Sequence, residues 1–94
     1  MRNIKLTIEY DGTAFHGWQW QPDVRTIQGE IESSLKTLLR EEIRIIGSGR
    51  TDVGVHALGQ VANFHTQSRL DLKAIQKGLN SLLPEDIVIL KVEE

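Results

Sequence analysis

The pattern of apolar and polar positions at the start of the chain predicts a β-strand. In residues 3–10 the apolar side chains occupy alternate positions, at Ile4, Leu6, Ile8 and Tyr10, with polar residues between them. Alternation with a period of two places all apolar side chains on one face of an extended strand. The segment Asn3 to Tyr10 is therefore predicted to be a half-buried strand.

Two later segments change to the helical period. Thr26 is a plausible N-cap, and after it Ile27, Ile31, Leu35, Leu38 and Leu39 recur at helical spacing as far as about Arg40. Asp71 can cap a second helix that Pro84 ends, in which one face is formed by Leu72, Ile75, Leu79 and Leu82. Two amphipathic helices are therefore predicted.

Three further short apolar runs predict strands at Ile43 to Ile46, Gln60 to Thr66 and Ile87 to Val92. The element order is then βαββαβ, which is the ferredoxin-like split βαβ arrangement of the α+β class. We expect one domain over residues 1–94, with a four-stranded antiparallel sheet and both helices on one face. Because the chain stops directly after the last strand, we also expect it to be a domain of a longer protein.

Composition agrees with a small globular domain. The chain has 94 residues, 39% hydrophobic and 26% charged, and it contains no cysteine. Its N-terminus carries neither a signal-peptide run nor a spanning segment, so a cytoplasmic protein without membrane association is the default expectation. The formal net charge of −2 gives no indication of nucleic-acid binding. Residues 1–69 carry eight basic and eight acidic residues, so their charge is compatible with a basic face.

Residues 47–59 form a glycine-rich loop between two predicted strands, with Arg50, Thr51 and Asp52 between two of its glycines. The simplest interpretation is an elaborate turn with a solvated Arg50–Asp52 ion pair. The loop lacks the glycine pattern of a phosphate-binding loop. A catalytic triad of Ser48, Asp52 and His56 has no nucleophile elbow or oxyanion hole to support it.

The histidines at 16, 56 and 65 do not have the spacing of metal ligands, so no metal site is predicted. A better interpretation of the loop makes Asp52 a reactive carboxylate. The glycines would let a substrate approach the backbone closely, and Arg50 would keep the acid ionised. Such a group suits nucleophilic or general-base chemistry.

Three segments of the sequence resemble the tRNA pseudouridine synthase A family. GRTDVGVHALGQVANF is similar to the family's active-site motif, G-R-T-D-x-G-V-H followed by a G-Q-V strand. The opening EYDGT with FHGWQWQ resembles Y-D-G-T-x-F-x-G-W-Q-x-Q, and residues 80–87 match N-x-x-L-P-x-D-I. The matches span nearly the whole chain in the family's order, so the chain is identified as the N-terminal domain of such an enzyme.

The resemblance implies that the protein isomerises uridine to pseudouridine in the anticodon arm of tRNA, without an external cofactor. Asp52 aligns with the catalytic aspartate, which either adds to the substrate covalently or removes the 2′ proton to form a glycal. Arg50 matches an arginine that assists extrusion of the base and pairs with the acid. Thr51, Gly54 and His56 would shape the loop or contact RNA.

The segment of residues 11–25 lacks a sustained period and is a candidate RNA-binding loop, because long loops in compact domains are often functional. Its candidates for stacking or hydrogen bonding to RNA are Phe15, Gln19, Trp20, Gln21 and Arg25. For Trp18 we favour a buried structural role. The resemblance further implies tRNA as partner, a missing C-terminal domain that completes the cleft, and a possible homodimer of the full-length protein.

Two other classes of protein share this predicted architecture. A non-catalytic RNA-recognition module has the same element order, but GQVANFHT lacks the aromatic pattern of its third strand. A small acyl-phosphate hydrolase would need an arginine near the end of the first strand, and none lies between Asp11 and Val24. The RNA-recognition module remains the main alternative.

Overall fold

The computed structural model describes residues 1–49, 54 and 56–94. Its elements in chain order are β1 (Arg2–Tyr10), a short 3-10 helix (Gly12–Ala14), α1 (Ile27–Leu39), β2 (Ile46–Gly47), β3 (Ala57–Thr66), α2 (Leu72–Leu82) and β4 (Ile87–Glu93). The strands form one sheet in the order β2-β3-β1-β4, and every neighbouring pair is antiparallel. The predicted fold class is confirmed.

Strand β1 lies at the centre of the sheet, between β3 and β4. Its alternate residues Ile4, Leu6, Ile8 and Tyr10 are buried in the hydrophobic core, while Lys5 on the other face is exposed. Burial of several large apolar side chains is the main favourable contribution to folding in a domain of this size. The predicted half-buried strand is therefore confirmed, and the core lies on one side of it.

Both helices begin at the predicted capping residues. Thr26 Oγ1 accepts a hydrogen bond from the Gly29 N–H at 3.1 Å, and Asp71 Oδ1 accepts one from the Ala74 N–H at 2.8 Å. These side chains satisfy donors that a helix N-terminus leaves unpaired. The helices meet where Leu38 lies against Gly78, whose missing Cβ would come within 2.6 Å of Leu38 Cδ1. They therefore pack together over the face of the sheet that carries the core.

The predicted strand at Ile43 to Ile46 is mostly wrong. Only Ile46 and Gly47 pair with β3, opposite Asn63 and Ala62. The Ile45 N–H instead donates to the Glu32 carboxylate of α1 at 3.0 Å, so this part of the chain is bonded to a helix and not to a strand. Ile43 and Ile45 still bury their side chains in the core.

Two other predicted boundaries differ from the structure. Strand β3 begins at Ala57, three residues before the predicted start, because Ala57 still pairs with Tyr10 of β1. On α2, Ile75 and Leu79 are buried as predicted, but Leu82 is 45% exposed and Leu83 is buried in its place. Leu83 follows Leu79 by four residues, which continues the buried face of the helix one residue beyond its end.

Asn80 of α2 connects this helix to β4 by a pair of hydrogen bonds. Its side-chain oxygen accepts from the Ile89 N–H at 2.8 Å, and its amide nitrogen donates to the Ile89 carbonyl at 3.0 Å. Ile89 is almost fully buried, so its N–H would lose its partner if the amide were removed.

We expect Asn80→Ala to lower the free energy of unfolding by about 1–3 kcal/mol, because two hydrogen bonds of about 0.5–1.5 kcal/mol each are lost. Asn80→Asp keeps the acceptor for the Ile89 N–H but places a carboxylate oxygen against the Ile89 carbonyl, so it should be destabilising as well. Urea denaturation followed by circular dichroism measures the change. Ser81→Ala, at the next helical position, is the control and should stay within about 0.5 kcal/mol. Equal stability of the Asn80→Ala and Ser81→Ala variants would contradict this account.

Candidate active site

The candidate site is the loop between β2 and β3. The predicted catalytic residue Asp52, the supporting residue Arg50 and Thr51, predicted to shape the loop or contact RNA, lie outside the described residues. The described residues on either side of them define where this part of the chain enters and leaves the sheet.

The entry to the loop is fixed by β3. After the last paired residue of β2, the Ser48 N–H donates to the Val61 carbonyl at 2.8 Å. The Gln60 side-chain amide then donates to the Gly49 carbonyl at 2.5 Å. The chain is therefore held against β3 as far as Gly49, immediately before Arg50.

The exit of the loop is fixed by the segment that follows β1. The Gly54 N–H lies 3.4 Å from the Phe15 carbonyl oxygen, and Gly54 has a φ of +77°, a conformation that favours glycine. Two residues later, His56 Nδ1 accepts a hydrogen bond from the Gly12 N–H at 2.9 Å. The chain after Asp52 is thus bonded to the first residues of the 11–25 segment.

Asp11 adds a charged group beside this exit. Its Oδ1 accepts from the Thr13 hydroxyl at 2.6 Å and the Thr13 N–H at 3.0 Å, and lies 3.1 Å from His56 Nδ1. The hydrogen bonds from Thr13, followed by the attraction of His56, lower the pKa of the Asp11 carboxyl below its ordinary value. Asp11 is therefore a carboxylate at neutral pH, at the edge of the loop.

The contact between Trp18 and Gly47 joins the 11–25 segment to the base of the loop. Trp18 is buried, as expected, and lies 6.2 Å from Tyr10 between ring centroids. A Cβ on Gly47 would lie 2.7–2.9 Å from three atoms of the indole ring, closer than side chains tolerate. Glycine at position 47 lets the indole pack directly on the backbone of β2.

Some of the predicted RNA-binding residues of the 11–25 segment are exposed to solvent, whereas Arg25 contacts other residues of the fold. Trp20 is 49% exposed, and Gln19 and Gln21 are exposed. Phe15 is buried in the hydrophobic core. Arg25 stacks its guanidinium over the Phe15 ring at 4.2 Å, which is a cation–π geometry.

Arg25 also forms two ion pairs. Its guanidinium lies 3.0 Å from Glu30 and 3.6 Å from Asp86. Because the side chain is partly exposed, these pairs contribute modestly to stability and mainly fix its position. Arg25 therefore ties the 11–25 segment both to α1 and to the turn before β4.

A shallow groove of about 260 Å³ lies at β2, where the chain enters the loop. It is lined by Trp18, Gln19, Gln28, Ile45, Ile46 and Gly47. The groove places exposed Gln19 on the same surface as Gly47, at the base of the loop.

Among the residues that the structure describes, no cluster of three or more histidine or acidic side chains could hold a metal ion. Within the described residues, neither helix is long and apolar enough to span a bilayer.

Asp11, Gly12 and Gln60 were given no role in the sequence analysis, yet they hold the two ends of the loop. Gly12 lies 44 residues from His56, so no local pattern connects them. Only the family resemblance could have pointed to these residues. Asp11 and Gly12 belong to the segment that matches the family's Y-D-G-T, and Gln60 belongs to the segment that matches its G-Q-V.

Comparison with known proteins assigns the family. The model of the tRNA pseudouridine synthase family matches residues 6–94. The chain is 56% identical over 89 residues to tRNA pseudouridine synthase A of Caldicellulosiruptor saccharolyticus, covering 95% of this chain and 36% of the relative. It is 56% identical over 94 residues to tRNA pseudouridine synthase A 2 of Clostridium perfringens, covering all of this chain and 38% of the relative.

The chain belongs to the tRNA pseudouridine synthase family. The resemblance found in the sequence is confirmed, and the family is favoured over an RNA-recognition module or an acyl-phosphate hydrolase. The chain spans less than two fifths of the length of these curated relatives.

We expect Gly47→Ala to lower the free energy of unfolding by about 1–3 kcal/mol, because the new methyl group overlaps the buried Trp18 ring. Gly59→Ala is the matched control, since a Cβ there meets nothing within 4 Å. Urea denaturation of the three proteins measures the difference. Two glycine variants of equal stability would show that the Trp18 contact does not constrain position 47.

Proposed function

We propose that this chain is the aspartate-bearing, N-terminal domain of an enzyme that isomerises uridine to pseudouridine in the anticodon arm of tRNA. The observation that carries the proposal is the G-R-T-D-V-G-V-H motif, in which Gly49 and Gly54, on either side of residues 50–53, are each hydrogen-bonded to a different part of the fold. A short loop held at both ends suits a reactive group that must be placed accurately.

The reaction breaks the bond between N1 of uracil and C1′ of ribose and forms a bond between C5 and C1′. N1 gains a proton and the C5 proton is lost, so the reaction is an isomerisation that needs no oxidant and no cofactor. In the proposal the Asp52 carboxylate either adds to the substrate or removes the 2′ proton, and both routes begin with the ionised acid. Arg50, two residues earlier, supports ionisation and the extrusion of the base from its stack.

The exposed residues of the 11–25 segment extend this site toward RNA. Trp20 offers an aromatic face and Gln19 and Gln21 offer amides, which are groups that contact unstacked nucleotides. The groove shared by Gln19 and Gly47 supports a path for RNA that leads to the base of the loop. A phosphate contact by Arg25 would compete with Glu30 and Asp86, its present partners.

The remaining parts of the proposal concern the whole enzyme. A C-terminal domain would form the other wall of the cleft, and the enzyme would act on tRNA in the cytoplasm, as a homodimer in its full-length form. Thr51, Gly54 and His56 would shape the loop or contact RNA. Because half of the cleft would be missing, the 94-residue chain alone should have no activity.

A chimera tests the proposal. The matching 94 residues of the Clostridium perfringens relative are replaced by this chain, which covers that segment without truncation. Tritium release from uridine labelled at C5, in an unmodified tRNA transcript, measures turnover. We expect activity in the chimera and none in the isolated chain.

In the chimera, Asp52→Ala and Asp52→Asn should each reduce kcat by at least about 10²–10⁴-fold, because the reaction requires the ionised carboxylate. Asp71→Asn is the matched control: it makes the same chemical change at the N-cap of α2, where asparagine caps equally well. Full turnover in the Asp52→Ala chimera would refute the mechanism.

A further inference from the structure

One side-chain contact joins the exit of the candidate catalytic loop to the segment that follows β1. Gly12 lies at the start of the short 3-10 helix, where its N–H has no partner within the helix. Gly12 is buried, and His56 Nδ1 accepts its N–H at 2.9 Å. The neighbouring amides have other acceptors, because the Asp11 N–H donates to the Asp86 carbonyl and the Thr13 N–H to Asp11 itself.

We infer that His56 is a positioning residue for the loop that carries Asp52, acting through Nδ1 as the acceptor for Gly12. This inference rests on the proposed function, and it gives His56 a specific role through a specific atom. His56 follows Asp52 by four residues in the chain. It joins the exit of the loop to the end of β1, the central strand of the sheet.

The hydrogen bond from Gly12 determines the tautomer of the neutral ring. Nδ1 must offer a lone pair to the Gly12 N–H, so the ring carries its proton on Nε2. The 3.1 Å contact between Nδ1 and Asp11 Oδ1 is a hydrogen bond only when Nδ1 carries a proton, and such a ring would have to give up the bond from Gly12. With the proton on Nε2, the contact with Gly12 holds the position of the ring.

The entry and exit of the loop differ in how they are held. At the entry, the Ser48 N–H continues the ladder with β3, and Gln60 adds a side-chain bond. At the exit, the ladder with β1 begins at Ala57; of the two described contacts before Ala57, the Gly54 contact with Phe15 is long, at 3.4 Å, so the shorter His56 bond is the stronger restraint. Loss of that bond removes the acceptor of a part-buried N–H and leaves the longer Gly54 contact to hold the chain before Ala57. A displacement of about 1 Å at a reacting group can reduce the rate by about 10²-fold.

Two amide substitutions distinguish the role of Nδ1 from the role of Nε2. The side-chain oxygen of Asn lies near the position of Nδ1 and can accept from Gly12, whereas the longer Gln places its amide near Nε2. In the chimera, His56→Ala and His56→Gln should lower kcat by about 10- to 100-fold with KM for tRNA changed less than about twofold. His56→Asn should stay within about threefold of the unsubstituted chimera.

His65→Asn is the matched control. His65 is an exposed histidine on β3 that pairs with Asn3, at the opposite end of the strand from Ala57. Its substitution should leave kcat and KM unchanged. The reverse pattern, an active His56→Gln and a His56→Asn with raised KM, would overturn the inference and make His56 an RNA contact through Nε2. Equal loss in all three His56 variants, or no loss in any, would overturn it as well.

Nuclear magnetic resonance of the 94-residue chain tests the contact without any activity. At pH 8, where free imidazole is neutral, the nitrogen shifts of His56 should show an unprotonated Nδ1 and a protonated Nε2. Nitrogen–nitrogen coupling across the hydrogen bond should connect Nδ1 to the Gly12 amide. Slow exchange of the Gly12 amide should be lost in His56→Ala and His56→Gln and retained in His56→Asn.

A protonated Nδ1 at this pH, or a Gly12 amide that exchanges equally fast in all proteins, would overturn the inference. These results separate two failures. An inactive chimera with the expected His56 tautomer would count against the proposed function, whereas an active chimera with the other tautomer would count against the role of His56 alone.

Discussion

The central position of β1 is the constraint on which the rest of the structure depends. Its end residue Tyr10 pairs with Ala57 on one side and with Ile87 on the other. The start of β3, which directly follows the candidate loop, is thereby placed beside the residues that follow β1. The hydrogen bond from Gly12 to His56 becomes possible because of this register. The alternation that buries one face of β1 thus also determines where the exit of the loop lies.

Local signals predicted the elements whose stabilising contacts are themselves local. The caps at Thr26 and Asp71 bond within three residues, and the alternation of β1 needs no knowledge of its neighbours. The prediction at Ile43 to Ile46 failed because its deciding partner is distant in the sequence. Glu32 lies 13 residues before Ile45, and its carboxylate binds the N–H that a strand ladder would otherwise use. The spacing of apolar residues cannot reveal such a contact.

The candidate site shows the same division between local pattern and tertiary contact. The motif around Asp52 could be interpreted from sequence because glycine, arginine and aspartate have characteristic chemistry at short spacing. The residues that support the loop could not, since Trp18 meets Gly47 and Gly12 meets His56 only in the folded chain. Burial of Trp18 was expected, but the partner that makes glycine necessary at position 47 was not. Sequence thus indicated the proposed reactive group, and the structure adds how the described residues on either side of it are held.

Charge pairing suggests how chemistry and RNA binding are divided in the proposed enzyme. Several basic side chains already have acidic partners: Arg2 pairs with Glu94, Arg25 with Glu30 and Asp86, and Lys36 with Glu42. A cation paired with a carboxylate gains less from a phosphate, because the first pair must be weakened to form the second. Affinity for tRNA depends mainly on the number of phosphates neutralised. With a net charge of −2, this domain is better suited to holding the reactive carboxylate than to supplying most of the binding energy. Under the proposed function, that energy comes chiefly from basic residues elsewhere in the enzyme.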